Sequence, residues 1–390
     1  MLSEATVLSS SYGHYEGSGR SITASTWQRP KSHGDFLLLA GTIGLLVIGW
    51  IMVYSSSAII AWDNYHNPYL FLKRHSFHLI IALMAMALAI KFDYLSIRRL
   101  TYPLLALSLL LLLAVLVSPW GKEAGGARRW LALGTLSFQP SELSKLTLII
   151  YLAHSLTKKM GRLKEFTYGY LPNFIIIGLF CALILLQPDL GTALFLLMIG
   201  CLLCFIAGTP LSYLFYAALF CLPFIILALF KAEFRRQRLS VFLNPWNDPL
   251  NNGYQITQSF LALGSGGLWG MGLGQGRQKL FYLPDPHTDF VFSIIGEELG
   301  FIGVLGIIFL LGLLVWRGFR TAFRLPDIYG QLLATGIILS IAIQSSINLG
   351  VVVGLLPIKG LPFPFISLGG TSLLVNMVGI GILWNMSKQI

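Results

Sequence analysis

The sequence predicts an all-α integral membrane protein, a polytopic bundle of about ten transmembrane helices with one long extracytoplasmic loop. Of its 390 residues, 55% are hydrophobic and only 11% are charged, and the mean hydropathy is +0.74. Apolar segments of bilayer-spanning length recur from residue 36 to the C-terminus. Lipid offers no partner for backbone polar groups, so such a chain must satisfy them within helices.

Ten segments have this composition, and each is predicted to form one spanning helix. They are residues 36–54, 76–92, 102–118, 142–157, 172–187, 190–208, 211–230, 289–316, 328–356 and 364–386. Residues 1–35 are polar and are predicted to form a disordered cytoplasmic tail, which leaves residues 36–390 as a single membrane domain. The four cysteines all fall in apolar segments, where small packing residues are expected and disulfides are not.

The basic residues predict the orientation of the chain. An even number of spans puts both termini on one side. If that side is the cytoplasm, Lys and Arg residues lie in the tail and in three inner loops, as the positive-inside rule requires. Two outer segments, 118–145 and 231–288, nevertheless carry ten Lys or Arg residues. This excess predicts either an anion-binding site on the outer face or anchoring to anionic lipid headgroups. Nucleic acid is excluded as a partner on that face.

The first basic outer segment leads into a predicted helix. Arg128, Arg129 and Trp130 follow a glycine turn, and Glu142 and Lys145 stand three residues apart in the first turn of the next span. A helix N-terminus beside Arg129 and Lys145 suits a phosphate or diphosphate. The alternative for Glu142 and Lys145 is a salt bridge that only neutralises two charges at the start of a helix.

An acidic cluster lies at the start of the eighth predicted span. If that helix begins near Asp289, the 100° step places Asp289, Ser293, Gly296 and Gly300 on one small, polar face. Glu297 then flanks this face, and Glu298 points nearly opposite. Ionisable groups at membrane depth are costly, so these acids are predicted to be functional.

Three further segments carry weaker signals. Asp189 is interpreted as the N-cap of the sixth span. The long loop 231–288 is predicted to be ordered because of its aromatic and turn residues, and its glycine repeat at 270–276 follows no strand and is not a nucleotide loop. Residues 348–372 hold Lys359 among several prolines and predict an irregular turn or a broken helix.

Six motifs, in order along the chain, resemble the SEDS family (shape, elongation, division and sporulation). They are GARRW at 126–130, FQPSELSK at 138–145, QPDLGT at 187–192, HTDF at 287–290, GEELG at 296–300 and ISLGGTS at 366–372. The likeness extends from about residue 36 to the C-terminus. Four segments resemble the division branch of the family more than the elongation branch: NPWNDP at 244–249, GYQITQS at 253–259, IGEE at 295–298 and PIKG at 357–360.

The resemblance implies a peptidoglycan glycosyltransferase that polymerises lipid II on the outer face of the bacterial cytoplasmic (inner) membrane, enriched at the division septum. It implies a single-pass class B penicillin-binding transpeptidase as partner, together with other membrane proteins of the divisome. The essential acid of the family carries over to Asp289, and its other motif residues carry over to Arg129, Trp130, Glu142 and Lys145. The remaining substrate-binding candidates are Arg128, Lys279, His287, Glu297 and Lys359.

The implied chemistry needs a base for a sugar hydroxyl and cations for a departing diphosphate. Asp289 would be the base, or would hold a divalent cation such as Mg²⁺ or Mn²⁺ that bridges to the diphosphate; no other cofactor is expected. Two other functions stay open: a lipid II flippase, whose site would lie near the midplane and closer to Glu297 and Glu298, and the elongation-type polymerase.

Overall fold

The computed structural model describes residues 34–124, 126–134, 136–231 and 233–390. The predicted disordered tail, residues 1–35, lies outside the described residues except for its last two positions, 34 and 35. The helices are α1 Phe36–Tyr65, α2 Leu70–Lys91, α3 Tyr94–Arg99, α4 Thr101–Val117, α5 Pro140–Lys158, α6 Leu171–Leu186, α7 Leu190–Ile206, α8 Leu211–Lys231, α9 Glu233–Leu243, α10 Tyr254–Gly266, α11 Val291–Arg324, α12 Ile328–Val352 and α13 Gly370–Ser387.

The helical, multi-pass character of the chain is confirmed. In the described part, 6 helices are long and apolar enough to cross a membrane by length and composition, namely α1, α2, α6 with the turn before it, α8, α11 and α12. The apolar helices α4 and α7 are shorter. Each of the ten predicted segments falls on a helix, although composition and length alone do not establish ten crossings.

Several predicted helix ends are wrong. Helix α1 continues to Tyr65, beyond the predicted end at residue 54. Two serines just beyond the predicted end turn their hydroxyls back to the helix: Ser56 Oγ donates to Met52 O at 2.7 Å and Ser57 Oγ to Val53 O at 2.6 Å. Serines that bond to carbonyls four residues earlier need no water, so the helix continues.

Three short antiparallel strands lie between α4 and α5. They are β1 Gly121–Ala124, β2 Ala127–Leu133 and β3 Leu136–Phe138, in the order β1-β2-β3. Lys122 pairs with Trp130, and Leu131 pairs with Phe138. This small sheet, absent from the all-α prediction, fixes the chain that enters α5.

The face of α11 predicted to be small and polar packs against α10. Ser293 Oγ lies 2.7 Å from Ser259 Oγ, and a Cβ added to Gly266 would lie 1.9 Å from Gly296 O, so the two backbones touch. Asp289 is not part of this face, because α11 begins only at Val291.

Helix α11 is broken at Gly300, whose backbone angles are φ 66° and ψ −168°. The break frees the carbonyls of Glu297 and Glu298 from the helical pattern. Met271 N donates to Glu297 O at 2.9 Å and Gly272 N to Glu298 O at 3.0 Å. The glycine repeat therefore closes the broken end of a half-helix, where positive φ angles are needed at Gly270, Gly272 and Gly274.

Candidate active site

Asp289 lies in the turn just before α11, on the same side as the start of α7. The Asn348 side chain donates from Nδ2 to Asp289 O at 2.9 Å and to Leu361 O at 2.8 Å. The backbone of Leu368 donates to His287 O at 3.0 Å. These bonds hold the acidic turn against segment 353–369. The backbone of this proline-rich segment is irregular, as predicted. The carboxylate also touches this segment, because a Cβ at Gly360 would lie 3.0 Å from Asp289 Oδ2.

A cavity of about 100 Å³ opens beside Gly360 and is rich in cations. We call it the arginine cavity. Its charged lining residues come from four separate parts of the chain: Arg129, Asp189, Arg235, Arg238 and Lys359.

Arg129 reaches the cavity from strand β2. Its Nη2 donates to Pro188 O at 2.7 Å, and its Nε lies 3.9 Å from Asp189 Oδ2. Asp189 is the N-cap of α7, as predicted, and accepts from Thr192 N at 3.1 Å. Arg129 is thus held in place by groups that leave about a quarter of its side chain exposed.

Two arginines of α9 complete the cavity. Arg235 Nη1 donates to Ala228 O at 2.6 Å, and Arg238 Nη1 lies 3.4 Å from Ile358 O. Neither was singled out as a site residue from the sequence, where both were counted only among the basic residues of the long loop. Their one sequence signal was that excess of positive charge on the outer side.

Burial raises the pKa of Asp289 to about 7, with Asp285 adding to the rise and the nearby Arg238 and Arg129 opposing it. A carboxyl group with a pKa near neutrality can take up and release a proton under working conditions. Burial also disfavours the charged forms of Arg238 and Lys359, and therefore lowers the pKa of both. For Lys359 the neighbouring Asp189 acts in the opposite direction. The half-buried carboxylate and the cations are therefore close enough to influence one another.

Glu142 and Lys145 lie outside the arginine cavity, in a buried pair. Lys145 Nζ donates to Glu142 Oε1 at 2.7 Å, and both side chains are only 3% exposed. Lys145 also donates to Gln344 Oε1 at 3.0 Å, and Gln344 Nε2 donates to Pro362 O at 2.8 Å. The pair thus connects α5 to the segment that contacts Asp289, which makes it a structural support for the acidic turn.

Lys145→Met is expected to lower the free energy of unfolding by about 3–5 kcal/mol, because it leaves Glu142 buried without its counter-ion. Thermal unfolding of the purified protein in detergent measures the loss. The double change Glu142→Gln with Lys145→Met is expected to recover most of it. As a matched control, Arg162→Gln breaks the exposed pair with Glu165 and should cost less than about 1 kcal/mol. Equal melting of the Lys145 variant and the unchanged protein would contradict a supporting role.

Arg128 and Trp130 belong to the hairpin. Arg128 donates to Gly121 O at 3.2 Å and to Ser118 O at 2.9 Å, so its guanidinium ties the strands to the end of α4. Trp130 lies half-buried on the same strand as Arg129. Neither lines the arginine cavity.

Glu297, Glu298 and Lys279 form a separate buried network. Glu297 Oε1 accepts from the backbone N–H of Arg277 at 2.7 Å, and Lys279 Nζ donates to Glu298 Oε1 at 2.6 Å. Ser55 of α1 also donates to Glu298, at 2.7 Å. This network anchors the loop before Asp289 to the half-helix of α11 and to α1.

His287 is buried and packs on Phe71, with ring centroids 4.9 Å apart. Its Nδ1 has no hydrogen-bond partner among the described residues.

Across the described ranges, no group of three or more His, Cys, Asp or Glu side chains could hold a metal ion. Asp289 alone would leave a divalent cation dependent on the substrate for its remaining ligands. The divalent cation therefore stays a prediction.

A family profile described as "Cell cycle protein" and named for FtsW, RodA and SpoVE matches residues 36–390. The chain is 43% identical over 355 residues to a "Probable peptidoglycan glycosyltransferase FtsW" of Geobacter metallireducens, covering 91% of this chain and 95% of that protein. It is 42% identical over 358 residues to "Stage V sporulation protein E" of Bacillus subtilis, covering 92% and 98%.

Solved structures show the same fold. A chain from a structure titled "Structural coordination of polymerization and crosslinking by a peptidoglycan synthase complex" superposes with a TM-score of 0.74 at 32% identity, covering 91% of this chain and 97% of that one. The rod shape determining protein RodA of Thermus thermophilus superposes with a TM-score of 0.66 at 31% identity, covering 91% and 96%.

Proposed function

The chain belongs to the FtsW/RodA/SpoVE family, and from this premise we propose that the arginine cavity and Asp289 form its catalytic centre. The protein is a peptidoglycan glycosyltransferase that polymerises lipid II into glycan strands on the outer face of the cytoplasmic membrane. The observation that carries the site is a carboxyl group with a pKa near 7 beside a cavity lined by three arginines and a lysine.

The cavity matches the charge that develops during the reaction. As the donor sugar is transferred, its diphosphate leaves with negative charge. An arginine guanidinium group can bind two phosphate oxygens at once through two parallel hydrogen bonds. Arg129, Arg235, Arg238 and Lys359 provide this cationic surface already in place. Preorganised charge in a partly dehydrated site stabilises a transition state more strongly than mobile charge in water.

Asp289 serves as the general base. Its carboxylate accepts the proton of the acceptor sugar hydroxyl as that oxygen bonds to the anomeric carbon of the donor, and the bond to the diphosphate breaks. The donor is α-linked and the glycan β-linked, so one displacement with inversion requires one base. The protonated carboxyl then returns its proton to water.

The relatives support a proposal for the role in the cell and for the partners. Several of them are named FtsW, the division branch of the family, which supports a role in septal wall synthesis with enrichment at the septum. The distribution of Lys and Arg supports cytoplasmic termini. A structural relative belongs to a complex that coordinates polymerisation with crosslinking. We therefore propose a single-pass class B penicillin-binding transpeptidase as the direct partner, within a larger set of divisome membrane proteins.

The function is tested with the purified protein, its transpeptidase partner and labelled lipid II. Glycan chains resolved by electrophoresis report polymerisation, and liposomes with lipid II in one leaflet report transbilayer movement. Polymer without movement is expected. Movement without polymer would overturn the proposed activity.

Glu297→Gln separates polymerisation from transport. Glu297 already accepts hydrogen bonds from two backbone N–H groups just after the glycine repeat and does not line the arginine cavity. The change is therefore expected to lower glycan synthesis by less than about tenfold, since both bonds are weakened but not lost. Transbilayer movement is expected to stay at the level of protein-free liposomes. Robust movement that depends on Glu297 and not on Asp289 would favour a flippase instead.

A further inference from the structure

A second cationic cavity lies at the opposite end of α5 from Asp289. It has a volume of about 530 Å³. Its side chains of interest are three cations and three tyrosines: Lys158, Lys159, Arg162, Tyr102, Tyr151 and Tyr168. We call it the lysine cavity. Nothing in the glycosyltransferase reaction uses it.

The direction of α5 fixes the position of this cavity. At the start of α5, Gln139 N donates to Thr371 Oγ1 at 3.1 Å, and Thr371 lies two residues after the segment that contacts Asp289. Helix α5 has 19 residues, or roughly 28 Å at 1.5 Å per residue, which is close to the thickness of the hydrocarbon core. The lysine cavity therefore lies at the other membrane surface, which is the cytoplasmic one if polymerisation takes place outside.

The positive charge of the cavity is poorly compensated. Within the part of the chain that the structure describes, neither Lys158 nor Lys159 forms an ion pair. Arg162 has one acidic neighbour, Glu165, at 3.9 Å, and both are exposed. Burial, and then repulsion from Lys158, lowers the pKa of Lys159. Two adjacent lysines held together without an acid would be stabilised by an anion between them.

The surroundings of the cations indicate where that anion comes from. Tyr102 is 55% exposed and Tyr168 is 62% exposed, and Met160 and Phe166 also present apolar surface beside them. Arg162 packs over the Tyr168 ring, 5.8 Å from its centroid. Tyrosines and exposed apolar side chains at a membrane surface are typical of the headgroup region. Basic pockets between transmembrane helices on the cytoplasmic side bind anionic lipid headgroups.

We infer that the lysine cavity binds the phosphate headgroup of an anionic phospholipid of the inner leaflet. Lys158 and Lys159 provide the charge, Arg162 closes one side over Tyr168, and the tyrosine rings contact the glycerol region. The assignment to the inner leaflet rests on the proposed polymerisation on the outer face, whereas binding of the anionic headgroup itself does not depend on glycosyltransferase activity.

The test is a titration of the purified full-length protein, in a neutral detergent, with short-chain phosphatidylglycerol, followed by native mass spectrometry. Tighter binding than that of phosphatidylcholine with the same chains is expected. Each lysine near an anionic surface strengthens binding about fivefold, so Lys158→Gln with Lys159→Gln should weaken the phosphatidylglycerol complex roughly 30-fold. Unchanged binding by this double variant would overturn the proposal.

A matched control removes two charges from the same membrane surface. Arg320→Gln with Arg324→Gln changes residues near the end of α11 that do not line the cavity, and binding should stay within about threefold, far from the 30-fold loss expected of the lysine pair. Circular dichroism checks that both double variants unfold at the same temperature as the unchanged protein. A final titration measures the binding of soluble glycerol phosphate, which has the headgroup chemistry without the lipid chains. If it binds as tightly as phosphatidylglycerol, the site recognises a free phosphate and the lipid assignment is wrong.

Discussion

Asp289→Asn is expected to reduce glycan polymerisation by about 10²–10⁴-fold, the usual contribution of a general base. Asparagine keeps the shape and the hydrogen bonds of the backbone, because Asn348 binds the carbonyl of residue 289 and not its side chain. The protein should therefore insert and fold normally. Polymer yield from labelled lipid II, normalised to folded protein, measures the effect.

A nearby acid provides the control for Asp289. Asp285 is exposed in the same loop and lies four residues earlier. Asp285→Asn should leave polymerisation within a few-fold, since Asp285 acts on Asp289 only through its charge. Full activity of a well-folded Asp289→Asn protein would remove Asp289 from the mechanism.

Arg238→Ala and Arg129→Ala are each expected to lower kcat/KM for lipid II by about 10²-fold, by analogy with the loss of one preorganised donor to a developing anion. Both arginines line the cavity, and both are placed by backbone carbonyls. Steady-state polymerisation over a range of lipid II concentrations gives the value. Arg→Lys at either position should restore part of it, because charge returns without the paired donors.

Arg236→Ala is the matched control for Arg238. Arg236 lies on the same helix, carries the same charge and is exposed like Arg238, but it does not line the cavity. Its removal should change kcat/KM less than threefold, since a charge outside the cavity acts on the diphosphate only through a field that solvent and salt screen. If Arg236 and Arg238 variants lost activity equally, the cations would act only through the general field of the outer surface.

Hydropathy was sufficient to locate the ten apolar helices, and less so their ends; it did not locate α3, α9 or α10. Each apolar segment lies on a helix because backbone groups in lipid have no other partner. The end of α1 was missed since Ser56 and Ser57 satisfy their hydroxyls within the helix. The start of α11 was missed because bonds from Asn348 and Leu368 hold residues 287–289 in a turn, and such contacts across the chain leave no periodic signal.

The candidate site was predictable in part. Asp289 at the start of a span, the N-cap at Asp189 and the irregular proline-rich segment were predicted from the sequence, although the turn that holds Asp289 was not. Arg235 and Arg238 were not, because they meet the other lining residues through contacts distant in sequence, such as the bond from Arg238 to Ile358 O, 120 positions away. Arg128 and Arg129 are neighbours in sequence, yet alternation along β2 sends only Arg129 into the cavity. Spacing placed Glu142 and Lys145 in one turn but could not show that the interior encloses them.

The most direct test of the central claim is the pH dependence of polymerisation by the purified protein with its partner. A base whose pKa is raised to about 7 is mostly protonated and inactive below that value and becomes competent as the pH rises through it. The rate is therefore predicted to increase about tenfold per pH unit below about pH 7, and to level off above it. In Asp289→Asn the residual rate should lose this step. A step that persists unchanged in Asp289→Asn would contradict the assignment of Asp289 as the base.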